Sequence, residues 1–396
     1  MLQSRNIMQK IKYLEGLRGV AALIVLFNHL ILTCFITDFT NFYLFINNSI
    51  LPQFIKIAII DFCKLCQNGE LAVWIFWLLS SYVISILFFK PSNNYDNVVI
   101  SYFSKRYVRL FIPVFGSVIL CYLLLKTNLT YNNQLASKMG EPYLNGWLTN
   151  NLNFFPDLYK ALKSAFYDSF FDYSDATSYN RVLWTIKNEF LGSLFTFSIF
   201  GILRHNKKRF ILYAVILIIL FELNLIWLVA FFIGHILCDY DFSHKNFNFL
   251  IKINKIEKSI FRYKYITLSV FILILLYSEY ILKITDIDTK IYFLILSFIV
   301  VYFVIRNPFL NTVLSGKIPM WLGKISFSMY LIHLPIIFSF TSYFLLFNTT
   351  MIYRILISIS TMIICFILSL IYTTYVDKNG VKLANWIGEF FKKNNS

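Results

Sequence analysis

Arg18 and His29 stand eleven residues apart in Tyr13-Leu-Glu-Gly-Leu-Arg-Gly-Val-Ala-Ala-Leu-Ile-Val-Leu-Phe-Asn-His29, a run that is otherwise largely apolar. At 100° per residue this spacing is about three full turns plus roughly 20°, so a helix puts both side chains on one stripe, about 16–17 Å apart along its axis. A guanidinium suits a phosphate or carboxylate. An imidazole suits proton transfer, and the other reason to keep one among apolar residues is a hydrogen bond between helices.

Three further clusters set polar groups inside apolar runs. Leu183-Trp-Thr-Ile-Lys-Asn-Glu-Phe190 holds Trp184, Lys187 and Glu189, and a carboxylate in such a place needs a cation or donors. Ile325-Ser-Phe-Ser-Met-Tyr-Leu-Ile-His-Leu-Pro335 places Ser326, Tyr330 and His333 at i, i+4 and i+7, one helical face. Pro335 removes a backbone donor just beyond the histidine and can open the helix there. Such a stripe suits a cavity wall or a hydrogen-bonded helix contact. Ser104-Lys-Arg-Tyr-Val-Arg-Leu-Phe-Ile-Pro113 sets Lys105, Arg106 and Arg109 at what reads as the start of a helix, where free amides and the helix dipole favour anions. With Arg18 on the same side, they suit a polyphosphate.

These groups require an apolar scaffold. The 396 residues are 58% hydrophobic and 14% charged, where a soluble domain is about half apolar and a quarter charged. Apolar segments recur at about 17–36, 71–89, 110–125, 183–203, 210–222, 224–238, 265–282, 291–305, 325–346 and 352–375. A spanning helix needs roughly 20 such residues, so the expected fold is all-α, a polytopic membrane bundle of about ten transmembrane helices. The fifth and sixth segments share a tight connection near Glu222 and Asn224 and read as a helical hairpin. Lys and Arg crowd into alternate connections, among them Arg204, Lys207, Lys208 and Arg209, then Lys252, Lys255, Lys258, Arg262 and Lys264. The positive-inside rule then predicts both termini on the cytoplasmic side. Two long outer segments remain, about 37–70 and 126–182; the second carries Asp157, Asp168, Asp172 and Asp175. Without an internal repeat or linker, residues 1–396 read as one membrane domain.

The formal charge of +16 sits in the connections between apolar runs, so it sets topology and does not point to nucleic acid. The basic N-terminal stretch precedes an apolar run with no suitable cleavage site after Leu32, so the run reads as a retained helix. Cys63-Lys-Leu-Cys66 lacks a second pair, and no metal site is assigned.

Taken in order, these motifs resemble the acyltransferase-3 family of membrane acyltransferases. The similarity rests on Leu14-Glu-Gly-Leu-Arg-Gly19 with the Arg18 to His29 spacing, and on Phe76-Trp-Leu-Leu-Ser-Ser-Tyr82 with Ser80. It rests further on Lys105-Arg-Tyr-Val-Arg109 with Pro113, Leu183-Trp-Thr with Glu189, and the late Ser-Met-Tyr-Leu-Ile-His-Leu-Pro335. Glu15 stands where the family usually has Asp, Ser81 where it has Gly, and Arg109 to Pro113 is one residue longer than the commonest spacing. The resemblance implies transfer of an acyl group, usually acetyl, from cytoplasmic acetyl-CoA or another acyl-CoA to a hydroxyl of a sugar or other acceptor at the outer face. It implies no metal, and a multi-pass protein of the bacterial inner membrane that modifies cell-envelope polysaccharide. Arg18, Lys105, Arg106 and Arg109 would bind the acyl-CoA. His29 would be general base or transient acyl carrier, with Glu189 orienting it or relaying its proton, and Ser326, Tyr330 and His333 would donate to the oxyanion. Ser80 and Trp184 would line the acceptor cavity. The hydrolase-like domain fused to some members is not seen, which leaves the chain to act alone or with a separate extracytoplasmic partner. A transporter or flippase of lipid-linked saccharides is the rival expectation; it would want buried polar stripes too, without a basic mouth aligned on a deep histidine.

Overall fold

A computed structural model describes residues 2–89, 95–140, 147–149, 151–243 and 247–393. The regular structure among them is helical throughout, as lipid demands of a chain whose peptide groups find no partner in the solvent. The main helices are α1 Leu2–Cys34, α2 Gly69–Phe88, α3 Tyr95–Lys126, α4 Trp184–Leu203, α5 Arg209–Glu222 and α6 Ile226–Ser243. They continue as α7 Asn248–Phe261, α8 Lys264–Leu276, α9 Thr289–Arg306, α10 Lys317–Ile336, α11 Met351–Tyr372 and α12 Lys378–Lys393.

Every expected apolar segment is helical, the seventh interrupted at Tyr277, and among the described residues eight helices are long and apolar enough to cross a bilayer by themselves, in a polytopic bundle as expected. The 14 residues of α5 rise only about 21 Å, against a hydrocarbon core of about 30 Å. Helix α8 is one residue shorter still, and joins α7 through a 91° bend; counted as one span, that pair makes nine. The tight connection between α5 and α6 is present, with Asn224 in the left-handed region at φ 54°. Of the two long segments expected on the outer side, the first is largely helical and the second carries short helices between irregular stretches. The first forms Ile36–Asn48 and Gln53–Cys66, with Cys63 and Cys66 as free thiols. The second includes Asn132–Met139 and Leu158–Lys163; its residues 141–146 and 150 lie outside the described set.

The most extensive helix contact joins α1 to α10. Glycine makes it possible. A Cβ on Gly19 would lie 2.4 Å from the Gly323 nitrogen, and one on Gly323 would lie 2.3 Å from the Glu15 carbonyl oxygen. These backbones therefore touch directly, the small-residue packing on which helices in lipid rely. A second close approach joins α2 to α6. There Gly234 lies against the Leu78 carbonyl, where a Cβ would come within 2.3 Å, while Ser81 sits buried with its hydroxyl 3.1 Å from that of Thr196. The approach is granted from the facing helix, so Ser81 is accommodated.

Pro335 does not break α10. Its missing N–H would have bonded the Leu331 carbonyl one turn earlier. The buried Asn180 side chain donates to that carbonyl instead, at 2.7 Å, and the chain passes into a π turn over Ile337–Thr341. The second outer segment is docked on the same helix end through Tyr131 N–H to the Phe338 carbonyl, 2.8 Å. Within it, Asn132 donates to the carbonyls of Leu148 and Asn151, which fixes the position of Trp147.

Gly323→Ala should cost roughly 2 kcal/mol or more, because the new methyl meets backbone that cannot move without parting the helices. Gly201→Ala in α4, whose Cβ would meet only Val99 at 3.9 Å, should be neutral or slightly stabilising. Thermal unfolding of the two variants in detergent checks the contrast; equal melting temperatures would remove the glycine contact from the account.

Candidate active site

Two cavities lie end to end inside the bundle. The first, about 260 Å³, opens at the Arg18 end between α1, α2, α3, α4 and α10. Its polar wall is made by Arg18, Ser80, Arg106, Arg109, Glu189 and Ser326, and its apolar wall includes Phe76, Val83, Ile84 and Phe327. The second, about 450 Å³, is lined by Asn28, His29, Glu70, Trp147, Tyr173, Asp175, Arg181 and Trp184. Val73 and Tyr330 line both, so these two side chains form the neck between them. Arg18 lines the first cavity and His29 the second, while Phe27 on the opposite side of α1 is exposed.

Charge in the first cavity is mostly paired. Arg106 forms an ion pair with Glu189, its Nε donates to Ser193 Oγ at 2.8 Å, and Ser80 donates to the same Glu189 oxygen. Arg109 pairs with Asp377 at 2.5 Å, just before α12. Arg18 instead donates to a neutral group, Ser326 Oγ at 3.2 Å. An arginine spent on a carboxylate has less to offer a ligand phosphate than one resting on a hydroxyl.

At the far end, hydrogen bonding fixes the state of two imidazoles. His333 Nδ1 lies 3.0 Å from the Met329 carbonyl oxygen, which can only accept, so Nδ1 carries the proton and Nε2 of the neutral ring is an acceptor. His29 Nδ1 lies 2.9 Å from that Nε2 and must therefore donate. The chain of bonds leaves His29 with its lone pair on Nε2. Trp147 stacks on the His29 ring, centroids 5.0 Å apart, and rests against Phe338 at 5.2 Å, so the imidazole is clamped between the outer segment and α10.

Several sequence expectations change. Glu189 does not orient His29: it lies in the other cavity with Arg106 and Ser80, and His333 holds the imidazole. Lys187, considered as a partner for Glu189, is not its partner; Arg106 is. Ser326, Tyr330 and His333 do share a face of α10, yet they do not converge on one point. Ser326 meets Arg18, the Tyr330 hydroxyl sits 3.0 Å from Thr185 Oγ1 and 3.1 Å from the Val182 carbonyl, and His333 meets His29. Lys105, Arg106 and Arg109 do not sit at a helix start, because α3 begins at Tyr95, so free amides play no part there. Lys105 faces away from the cavity, its Nζ 3.7 Å above the Tyr102 ring, beside Gly388 of α12. Trp184 lines the second cavity as expected, its ring 5.8 Å from Trp77. Ser80 lines the first, not the second.

Sequence reading missed Trp147, Tyr173, Arg181 and Glu70. The abundance of acids and aromatics in the second outer segment was the available signal, and Asp175, one of those acids, accepts from Tyr173 at 2.8 Å and pairs with Arg181 at 3.2 Å.

No curated protein and no solved structure matches the chain. A family model, described as an acyltransferase domain, matches residues 11–370, from the start of the α1 contact through α11. That span holds both cavities, the glycine contact and the histidine pair, and on it the chain belongs to the acyltransferase-3 family of membrane acyltransferases.

Proposed function

We propose that the protein is an acyl-CoA-dependent O-acyltransferase that receives the thioester through the Arg18 end, facing the cytoplasm, and the acceptor hydroxyl through the His29 end. The observation that carries this reading is the bond chain from Met329 through His333 to His29, which supports a base at His29 Nε2 on the wall of the second cavity. A positioned imidazole is worth about 10²–10⁴-fold as a general base.

The first cavity is smaller than the ~300–1,000 Å³ common for drug-sized ligands. It therefore suits the slender acyl and thioester arm, with the nucleotide left at the mouth, where Arg18 meets its phosphates. The acceptor hydroxyl gives its proton to Nε2 while its oxygen attacks the thioester carbonyl at the neck of Val73 and Tyr330. The C–O bond forms, the C–S bond breaks, and the imidazolium returns the proton to the departing thiolate. During that interval His333 Nε2 accepts from the charged ring and steadies it, the part a carboxylate plays in hydrolytic triads. The acyl group is acetyl in this reading, and Trp147, Trp184 and Tyr173 offer ring faces to a saccharide acceptor, whose hydroxyls Glu70, Asp175 and Arg181 can bond.

Liposomes supplied with labelled acetyl-CoA test this. Thioester consumption by the purified protein separates an enzyme from a transporter of lipid-linked saccharides, which would consume none. His29→Ala should lose about 10²–10⁴ in kcat. His333→Ala should lose a similar amount with little change in the half-saturation for donor, and His333→Gln, which keeps an acceptor near the Nε2 position, should recover part of it. If His333→Ala turns over at the wild-type rate, the bond chain has no catalytic meaning. Arg18→Ala should raise the donor half-saturation about tenfold, the effect of one lost charge-assisted hydrogen bond of ~1.5 kcal/mol. Arg109→Ala should instead lower the melting temperature through its lost Asp377 partner. The reverse pattern would move the anion site from Arg18 to Arg109.

A further inference from the structure

Helix α7 has three faces. At 100° per residue, Leu250, Asn254, Glu257 and Phe261 fall within about 60° of one another. Leu250, Glu257 and Phe261 are buried against the bundle. Phe249, Ile253, Ile256 and Ile260 form a second stripe roughly 90° away. They are 52%, 49%, 62% and 53% exposed, with Phe249 leaning on Phe210 and Phe247, so the protein leaves about half of this stripe open. Lys252, Lys255, Lys258 and Arg262 occupy the remaining arc, all exposed.

The rotation of this helix is fixed by charge as well as packing. Glu257 accepts from Tyr302 at 2.6 Å, from Tyr240 at 3.0 Å and from Arg306, whose other arm pairs with Asp241 at 2.5 Å. With that face tied down, the apolar and basic faces have set directions. The 91° bend into α8 gives them a frame. Helix α8 is apolar, with Ile266, Val270 and Leu273 exposed, and belongs in lipid, so α7 lies along the bilayer surface. A charge run that served only solubility would have no need of four large apolar side chains beside it.

We propose that α7 is a docking surface for anionic phospholipid headgroups. Its stripe of Phe249, Ile253, Ile256 and Ile260 enters the acyl boundary, and Lys252, Lys255 and Lys258 meet the phosphates. The lysine stems span the distance between these levels, their ammonium groups reaching to the polar layer. Each basic residue near an anionic surface adds attraction that salt screens.

The test uses the full chain, delipidated in neutral detergent and titrated with fluorescent phosphatidylglycerol or phosphatidylcholine. Wild type should bind phosphatidylglycerol more tightly, and the preference should shrink as salt is raised. The variant Lys252→Gln, Lys255→Gln, Lys258→Gln should lose on the order of a hundredfold of that preference. Ile253→Ser with Ile256→Ser should weaken both lipids alike. Equal affinity for the two lipids in wild type, or an undiminished preference in the triple variant, would overturn the proposal. So would full competition by free glycerol phosphate, which would mark an anion site with no lipid requirement. The wild-type lipid and salt series keeps the test decisive if a variant fails to fold.

Discussion

The contact between α1 and α10 is the constraint from which the site follows. Two glycines let the backbones meet, and two polar pairs bridge the same seam, Arg18 with Ser326 and His29 with His333. The Arg18 bond, at 3.2 Å, is already at the long end of its range, so a wider separation would part it first. The packing that holds the bundle together therefore also sets the chemistry. In lipid this economy is natural, because apolar side chains gain little by leaving one hydrocarbon surface for another and close backbone contact must do more of the binding.

Buried charge is distributed by a similar logic. Arg106, Arg109, Arg209 and Arg306 each face a carboxylate, and an ion removed from water without a partner would be very costly. These pairs stitch helices that are distant in sequence, such as Arg109 to Asp377. Arg18 differs in resting on a hydroxyl, at the mouth of an open cavity where water or a ligand can complete its coordination. The contrast between spent and available guanidinium groups separates scaffold from site more cleanly than their positions along the chain.

Much of this was legible in the residues. Helical class, the hairpin near Asn224, the inward side of α1 that carries Arg18 and His29, and the shared face of Ser326, Tyr330 and His333 all follow from periodicity, which a single helix expresses by itself. The partner of Glu189 was not legible, because a carboxylate in a helix declares a need without naming its cation. The true start of α3 was hidden because residues 95–109 interleave Val98, Val99, Ile100 and Phe103 with Asp96, Asn97, Ser101, Ser104, Lys105 and Arg106, which cuts the apolar run short, yet they continue the helix with α12 packed alongside. The count among the described residues, eight spans or nine with the bent pair, is lower than about ten where apolar runs were brief, as in α5 and α8. Trp147 reaches the second cavity from a turn and Arg181 from a single 3-10 turn, where spacing says little about direction.

The link between Asn180 and the Leu331 carbonyl turns what would have been an internal bond of α10 into one made with a remote strip of chain. Until that strip arrives, α10 holds an unmet acceptor two residues before His333, in a solvent that offers nothing in exchange. A copy with that strip misplaced would keep a bare carbonyl in the turn that carries His333, beside its contact with His29.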